Sequence, residues 1–411
     1  MADRTVAAAV ADAHRTEWAR VLAATVRVTA DLDLAEECVQ AAFARALVAW
    51  ATGLPSRPGA WLTTTARNVA LDELRRETRW RTRMPLLVEE ESAPSYGWGS
   101  DEAIEDDRLR LVFTCCHPAL AIESQIALTL RLVCGLRTAE VARAFLVSEP
   151  TMAARITRAK KKIAQARIPY RTPTVAELPG RVTAVLQVVH AVFTTGHASP
   201  GGDELVRAEL IDRALGLGRM LRSLLPSDPG VAGLLGLMLL TNARSASRTR
   251  DGELVLLEDQ DRSLWDRAAI AEGSELVREA LEHEPPSLYA LLGAIAEVHD
   301  RAPSWGDTDW AAIVRTYDLL DALWPSPVVS LNRAVAVGFA SGPDAGLRML
   351  EELAADPQLA TYPYFAVARA DFHQRVGDVR SARLFFAEAL ALTDNQVERA
   401  YLERRLAALD A

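Results

Sequence analysis

A stripe of polar and basic side chains in residues 137–163 has the spacing of a helix that contacts nucleic acid. The spacing predicts a helix from Thr138 to Phe145 with Thr138 as its N-cap, and a second helix capped by Ser148. The second helix tolerates Pro150 in its first turn. Its apolar residues recur at steps of four, three and four, and they are Met152, Ile156, Ala159 and Ile163.

The polar residues of this second helix fall on a neighbouring stripe. They are Thr151, Arg155, Arg158 and Lys162, and Lys161 lies close by. Arginine can pair with base edges, and lysine can contact phosphates. We interpret the segment as a helix-turn-helix that presents a basic face to DNA. An ordinary solvated amphipathic helix is the plainer alternative.

A second candidate for nucleic-acid binding is the predicted helix from Ala60 to about Arg83. Leu62, Ala66, Val69 and Leu74 form its predicted inward face. The candidate binding residues on it are Trp61, Arg67, Asn68, Asp72, Arg75, Arg76 and Arg79. Asparagine and arginine suit base and phosphate contacts, and tryptophan can stack on unpaired bases. An arginine-rich surface helix explains the same pattern equally well.

An acidic helix start precedes this segment. A helix is predicted from Leu34 to Trp50, capped by Asp31 or Asp33. The candidate docking residues at its start are Asp33, Glu36, Glu37, Gln40 and Phe43. Acidic residues in a first turn are favourable next to the helix dipole, so spacing alone favours that explanation. A protein-docking surface is the alternative.

The elements that must position these residues are nearly all helical. Ala, Leu, Arg and Glu dominate, apolar residues recur at three and four, and alternating β-branched runs are nearly absent. We therefore predict an all-α fold. Its parts are a helical block at 5–83, an acidic linker at 84–107, a second helical block at 108–170, a hinge at 172–180, and helix pairs over 181–411.

Near the C-terminus the sequence repeats with a period of 37 residues. Phe339, Ala345, Leu347 and Met349 recur as Val376, Ala382, Leu384 and Phe386. Such a period is typical of an array of stacked helix pairs. The segment from about Asn395 to Leu409 is predicted to be a polar cap on this array.

Charge is distributed unevenly along the 411 residues. The net charge of −9 argues against a simple nucleic-acid binder. Residues 131–171, however, hold ten basic and two acidic side chains, whereas residues 89–107 hold eight acidic and no basic ones. Residues 172–411 hold 22 basic and 34 acidic side chains. The basic segment contains the predicted helix-turn-helix.

Several classes of protein are disfavoured. No stretch of about 18 uncharged apolar residues occurs, and the N-terminus has no unbroken apolar run, so we expect no membrane association and a cytoplasmic location. The four cysteines do not form a disulfide framework. No CxxC motif occurs elsewhere in the chain that could complete a metal site with Cys115, Cys116 and His117, which disfavours such a site. No phosphate-binding loop or nucleophile elbow occurs, so we expect no cofactor and no catalytic residues.

The order of the three motifs resembles the ECF (extracytoplasmic-function) group of bacterial sigma factors. DLDLAEECVQAAFARAL is similar to the region-two helix that docks on RNA polymerase, and WLTTTARNVALDELRRE is similar to the helix that melts and reads the minus-ten element. TAEVARAFLVSEPTMAARITRAKKKI is similar to the region-four helix-turn-helix that reads the minus-thirty-five element. The resemblance covers residues 15–165, and Pro150 departs from it, because sigma factors usually have a small residue there.

The remainder is similar to ECF sigma factors with a tetratricopeptide-type C-terminal extension. The similar segments are CCHPAL (115–120), QDRSLWDRAAIAEG (260–273), DTDWAAIVRTYDLL (307–320) and SPVVSLNRAVAV (from Ser326). The resemblance implies core RNA polymerase and promoter DNA as partners. It also implies regulation by the extension, with a protein or small-molecule signal acting there. A transcription regulator that binds DNA without polymerase is the alternative, and a structural scaffold comes third.

Overall fold

The computed structural model describes residues 2–83, 101–145, 147–174, 176–198 and 205–409. These residues form eighteen α-helices and one two-stranded sheet, so the predicted all-α fold is confirmed. The helices are α1 (Ala2–Thr29), α2 (Leu32–Ala49), α3 (Pro58–Arg83), α4 (Asp101–Cys115), α5 (Ile122–Leu128), α6 (Thr138–Ala144), α7 (Glu149–Gln165), α8 (Leu178–His197), α9 (Ala208–Leu224), α10 (Pro229–Ala243), α11 (Arg267–Leu281), α12 (Leu288–Arg301), α13 (Trp310–Leu323), α14 (Pro327–Ser341), α15 (Pro343–Glu352), α16 (Pro363–Arg375), α17 (Val379–Leu392) and α18 (Gln396–Ala408).

The chain divides into two compact units, Met1–Val189 and His190–Ala411. Helix α8 belongs to both units, because it begins before and ends after this boundary. Among the described residues, no helix is both long and apolar enough to cross a membrane.

Helices α1, α2 and α3 pack against one another in the first unit. Asp31 caps α2, since its carboxylate accepts hydrogen bonds from the backbone N–H groups of Asp33 at 2.7 Å and Leu34 at 2.9 Å. The helix therefore begins two residues before the predicted start. The inward face of α3 includes Leu62 and Ala66, as predicted, and both are fully buried.

The helix-turn-helix consists of α6 and α7. Met152, Ile156, Ala159 and Ile163 are all buried, so the predicted apolar stripe of α7 is confirmed. The prediction that Thr138 caps α6 is wrong by one residue, because Arg137 occupies that position. The Glu140 carboxylate accepts a hydrogen bond from the Arg137 backbone N–H at 2.7 Å, which is the bond that the third residue of a helix makes in a capping box.

The predicted linker is shorter than its sequence pattern suggested. The sequence predicts that it includes residues 101–107, but α4 begins at Asp101. The residues that disrupt helices, Pro85, Pro94, Gly97 and Gly99, all precede this start, and residues 84–100 lie outside the described part of the chain. The hinge is likewise shortened, since α8 begins at Leu178 and holds Pro179 in its first turn.

A short β-hairpin departs from the helical pattern of the second unit. Its strands are β1 (Thr249–Arg250) and β2 (Glu253–Leu254), which pair antiparallel. Asp251 and Gly252 between them have φ values of 54° and 81°. An Asp-Gly pair with two positive φ angles is typical of a two-residue hairpin turn, and helical periodicity does not reveal this local signal.

Helix pairs build the rest of the second unit. Helix α10 is buried among α9, α11 and α12, and further on α13 packs with α14, α14 with α15, and α16 with α17. Helix α18 packs on α17, and the side chain of Asn395 caps it. The 37-residue period matches this succession, but burial does not follow it, because Leu384 is 64% exposed whereas its counterpart Leu347 packs into a hydrophobic cluster.

Candidate nucleic-acid interface

Helix α7 presents a basic face to solvent. The Ser148 hydroxyl caps the helix by accepting a hydrogen bond from the backbone N–H of Thr151 at 3.4 Å. The predicted residues Thr151, Arg158, Lys161 and Lys162 are exposed. Arg155 is half-buried, and its guanidinium carbon lies 5.3 Å from the centroid of the Phe145 ring. Four of the five predicted contact residues are thus available to a ligand on this face.

Lys160, the first of the three adjacent lysines, points away from that face. Its Nζ atom lies 2.6 Å from Asp33 Oδ1 and 2.8 Å from Glu36 Oε2. Its side chain is only 10% exposed. Burial alone would lower the pKa of Lys160, but the facing carboxylates of Glu36 and Asp33 outweigh burial and raise it. Lys160 therefore stays charged and joins α7 to the acidic start of α2.

The five predicted docking residues on α2 divide into an exposed and a buried group. Asp33, Glu37 and Gln40 are exposed. Glu36 is buried and pairs with both Lys160 and Arg131. Phe43 is also buried; its ring stacks on Trp18 and is tilted against His14. The structure brings all five residues onto one helix but leaves two of them covered.

Further contacts within the first unit join α1 to the segments on either side of the helix-turn-helix. The Trp18 indole N–H donates to the backbone carbonyl of Leu132 at 3.0 Å. Asp107, which is fully buried, pairs with Arg110 at 2.6 Å and with Arg27 at 3.3 Å. The Tyr170 hydroxyl lies 2.9 Å from the carbonyl oxygen of Ala23. These contacts connect α1 with the segments that carry the helix-turn-helix.

Helix α3 carries the second set of predicted contact residues. Asn68, Asp72, Arg75 and Arg76 are exposed along one side of it. Arg76 pairs with Glu73 at 2.7 Å, and Arg75 lies 3.7 Å from Asp72. Ion pairs between exposed neighbours are weak, so these arginines can exchange their partners for phosphates at low cost.

The remaining predicted residues of α3 are less accessible. Trp61 is half-buried, and its ring meets Trp50 edge-on with centroids 5.7 Å apart. Arg67 is half-buried as well, and burial together with the nearby Arg27 lowers its pKa. The side chain of Arg79 lies outside the described part of the structure.

The cysteine pair ahead of α5 is packed into the interior. Cys115 and Cys116 are both buried, and the sulfur of Cys116 lies 3.4 Å from the Thr129 hydroxyl oxygen. Burial raises the pKa of Cys116 to about 12, so its thiol stays protonated and unreactive. In the described ranges, no group of three or more His, Cys, Asp or Glu side chains has the geometry to hold a metal ion.

Sequence reasoning missed Arg131 and the inward orientation of Lys160. Both residues contact Glu36, about a hundred positions away along the chain. The run of three lysines carried a partial signal. Lys160 directly follows the buried Ala159, so the helical period places it at the edge of the apolar stripe rather than opposite it.

Comparisons with known proteins find matches in three parts of the chain. Residues 15–80 match Sigma-70 region 2, and residues 110–163 match Sigma-70 region 4. Residues 181–281 match a family of unknown function, DUF6596. An uncharacterized protein of Rhizobium meliloti (strain 1021) is 42% identical over 394 residues, which cover 94% of this chain and 92% of that protein.

Proposed function

We propose that this chain is an ECF sigma factor regulated by its own C-terminal extension. The proposal starts from the chain's membership of the sigma-70 family of RNA polymerase sigma factors. The two sigma regions support a role in transcription initiation. The observation that carries the proposal is their order: a region 2 with an acidic α2 and a polar α3, followed by a region 4 with an exposed basic α7.

In this proposal the chain performs no covalent chemistry. Exposed acidic residues of α2, Asp33 and Glu37, contact core RNA polymerase together with Gln40. Asn68 and the arginines of α3 bind the minus-ten element, and its melting costs roughly a few kcal/mol for each unstacked step. Binding of the separated strand on α3 offsets that cost. Arg158 and the two exposed lysines of α7 bind the minus-thirty-five element.

The buried docking residue Glu36 bears on how polymerase is bound. It contacts Lys160 at 2.8 Å and also pairs with Arg131, and both partners belong to the region-4 segment. A partner that contacts Glu36 must therefore displace these cations. We infer that polymerase binding separates α7 from α2 and that the described arrangement is the form before this step.

The extension supplies the proposed regulation. Residues 172–411 hold 34 acidic and 22 basic side chains, which opposes the basic character of region 4. Helix α8 belongs to both units, and Arg181 at its start contacts the ring of Phe113 in α4.

Holoenzyme assembly tests the proposal. Core polymerase is titrated with the labelled full chain, and the resulting complex is then tested on a fork-junction promoter with a single-stranded minus-ten segment. We expect a stoichiometric complex with core polymerase and promoter binding that requires this complex. Binding of duplex promoter by the chain alone, with no affinity for polymerase, would instead favour a regulator that acts without polymerase.

A further inference from the structure

The second unit holds a cavity of about 380 Å³ that the sigma functions leave unused. It lies among α14, α16 and α18, and the segment that follows β2 closes one side. Its volume falls in the range of sites for small organic ligands. Most of its wall is apolar, with Leu331 and Val335 from α14 and Val367 and Ala368 from α16.

Aromatic rings shape the interior of this cavity. Phe372 is buried, and a Cβ atom on Gly338 would lie 2.1 Å from its ring, so only glycine lets the ring settle against α14. Trp305 meets Phe339 edge-on, with ring centroids 5.2 Å apart. Tyr362, Tyr364 and Tyr401 complete the aromatic lining. Flat walls of this kind favour a flat, aromatic occupant.

The charged residues of the cavity neutralise one another. Asp371 accepts from Arg375 Nε at 2.6 Å and lies 3.2 Å from Arg405 Nη2. Arg375 also donates to Glu258 at 3.2 Å, and its guanidinium carbon lies 4.9 Å from the centroid of the Phe339 ring. Two carboxylates thus match two guanidiniums. An anionic ligand has to displace a carboxylate, and a cationic ligand meets a ring face that Arg375 already occupies.

Polar groups remain for an uncharged ligand. The Tyr401 hydroxyl oxygen lies 2.5 Å from Arg405 Nη1 and accepts its hydrogen bond, which leaves the hydroxyl hydrogen to donate. Asn332 stands at the exposed side with an amide that can donate and accept. We propose that this cavity is a binding site for a neutral aromatic small molecule with a hydrogen-bond acceptor. The proposal concerns the extension alone and holds whether or not the sigma assignment does.

Two fluorescent probes with nearly the same skeleton test this proposal on the full chain. N-phenylnaphthylamine is neutral and aromatic, and anilinonaphthalenesulfonate adds a negative charge to the same ring system. We expect saturable, one-to-one binding of the neutral probe and at least tenfold weaker binding of the sulfonate. Equal affinities would refute neutral selectivity, and no saturable binding of the neutral probe would overturn the site.

A pair of variants locates the bound probe. Ala368→Phe fills the cavity, whereas Ala387→Phe makes the same change at an exposed position of α17 that does not line it. We expect at least tenfold weaker binding of the neutral probe to Ala368→Phe and a change below twofold for Ala387→Phe. Equal affinity in both folded variants would place the probe elsewhere. Val335→Phe, which narrows the opposite wall, replaces Ala368→Phe if circular dichroism shows that variant unfolded.

The probe titration needs neither polymerase nor DNA, so its result is separate from that of holoenzyme assembly. A chain that binds the neutral probe but not polymerase would keep the cavity and lose the sigma function. A chain that binds polymerase but not the probe would keep the sigma function and lose the cavity as a ligand site.

Discussion

The contact of Lys160 with α2 makes the most specific prediction. Replacing Lys160 by methionine keeps a stem of similar length and removes the charge that faces Asp33 and Glu36. We expect the variant Lys160→Met to loosen the contact between α7 and α2 and to bind core polymerase more tightly than the wild-type chain. The reason is that polymerase no longer has to displace this cation from the docking helix.

The size of the effect follows from the burial of the three groups. Asp33 is 70% exposed, so its pair with Lys160 contributes well under about 1 kcal/mol. Glu36 is 8% exposed, and orphaning a buried charge costs about 3–5 kcal/mol. Arg131 remains beside Glu36 in the variant, so we expect a cost below that range, about 2 kcal/mol. That corresponds to a gain of roughly 30-fold in affinity for core polymerase if the whole cost falls on the form in which α7 contacts α2.

The assay is fluorescence anisotropy of the labelled chain titrated with core polymerase in the absence of DNA. Lys161→Met is the matched control, because it removes the same charge from the next, exposed position of α7. We expect the control to bind polymerase as the wild-type chain does. Indistinguishable affinities for Lys160→Met and Lys161→Met would refute the inference that this contact restrains α2.

Three further predictions concern the proposed interfaces and the stability of the extension. Arg158→Ala should weaken promoter binding by the holoenzyme and reduce the slope of log affinity against log salt concentration by about one. Titrations at several salt concentrations measure this slope, and an unchanged slope would exclude a phosphate contact. Glu37→Lys should weaken polymerase binding at least tenfold without changing the melting temperature, because the side chain is exposed; normal binding would remove it from the docking surface. Acidification from pH 7 to pH 5 should destabilise the second unit, because burial lowers the pKa of His197 and His299 to about 3, so the unfolded chain takes up protons that the folded chain does not. Burial raises the pKa of Asp300 to about 6, so this group stabilises the folded state on acidification and offsets part of the histidine effect. The net decrease in the free energy of unfolding is roughly 2 kcal/mol. Hydrogen exchange in α12 measures this decrease, and unchanged protection would contradict the prediction.

Local patterns predicted the inward face of α7 well. The steps of four, three and four on α7 identified Met152, Ile156, Ala159 and Ile163, and all four are buried. Asp31 was one of two predicted caps of α2 and is the residue that caps it. Both results depend on interactions within one helix or with one packed face, which the period of 3.6 residues encodes directly.

Features that depend on distant residues were beyond these patterns. The first turn of α2 was explained by its helix dipole, but Glu36 is paired with Arg131 and Lys160 of another segment. The same applies to the cavity of the extension, whose wall combines α14, α16 and α18 with Glu258. Position along a helix indicates which side chains are buried, but it does not indicate which distant charge they meet.

Run-off transcription tests the central claim most directly. Purified core polymerase is supplied with the full chain and a library of promoter fragments, and the 5′ ends of the transcripts are mapped. We predict transcripts that start at defined positions downstream of shared minus-ten and minus-thirty-five sequences and that require the chain, with fewer of them when Arg158→Ala replaces it. Transcript ends that are identical with and without the chain would contradict the assignment as a sigma factor.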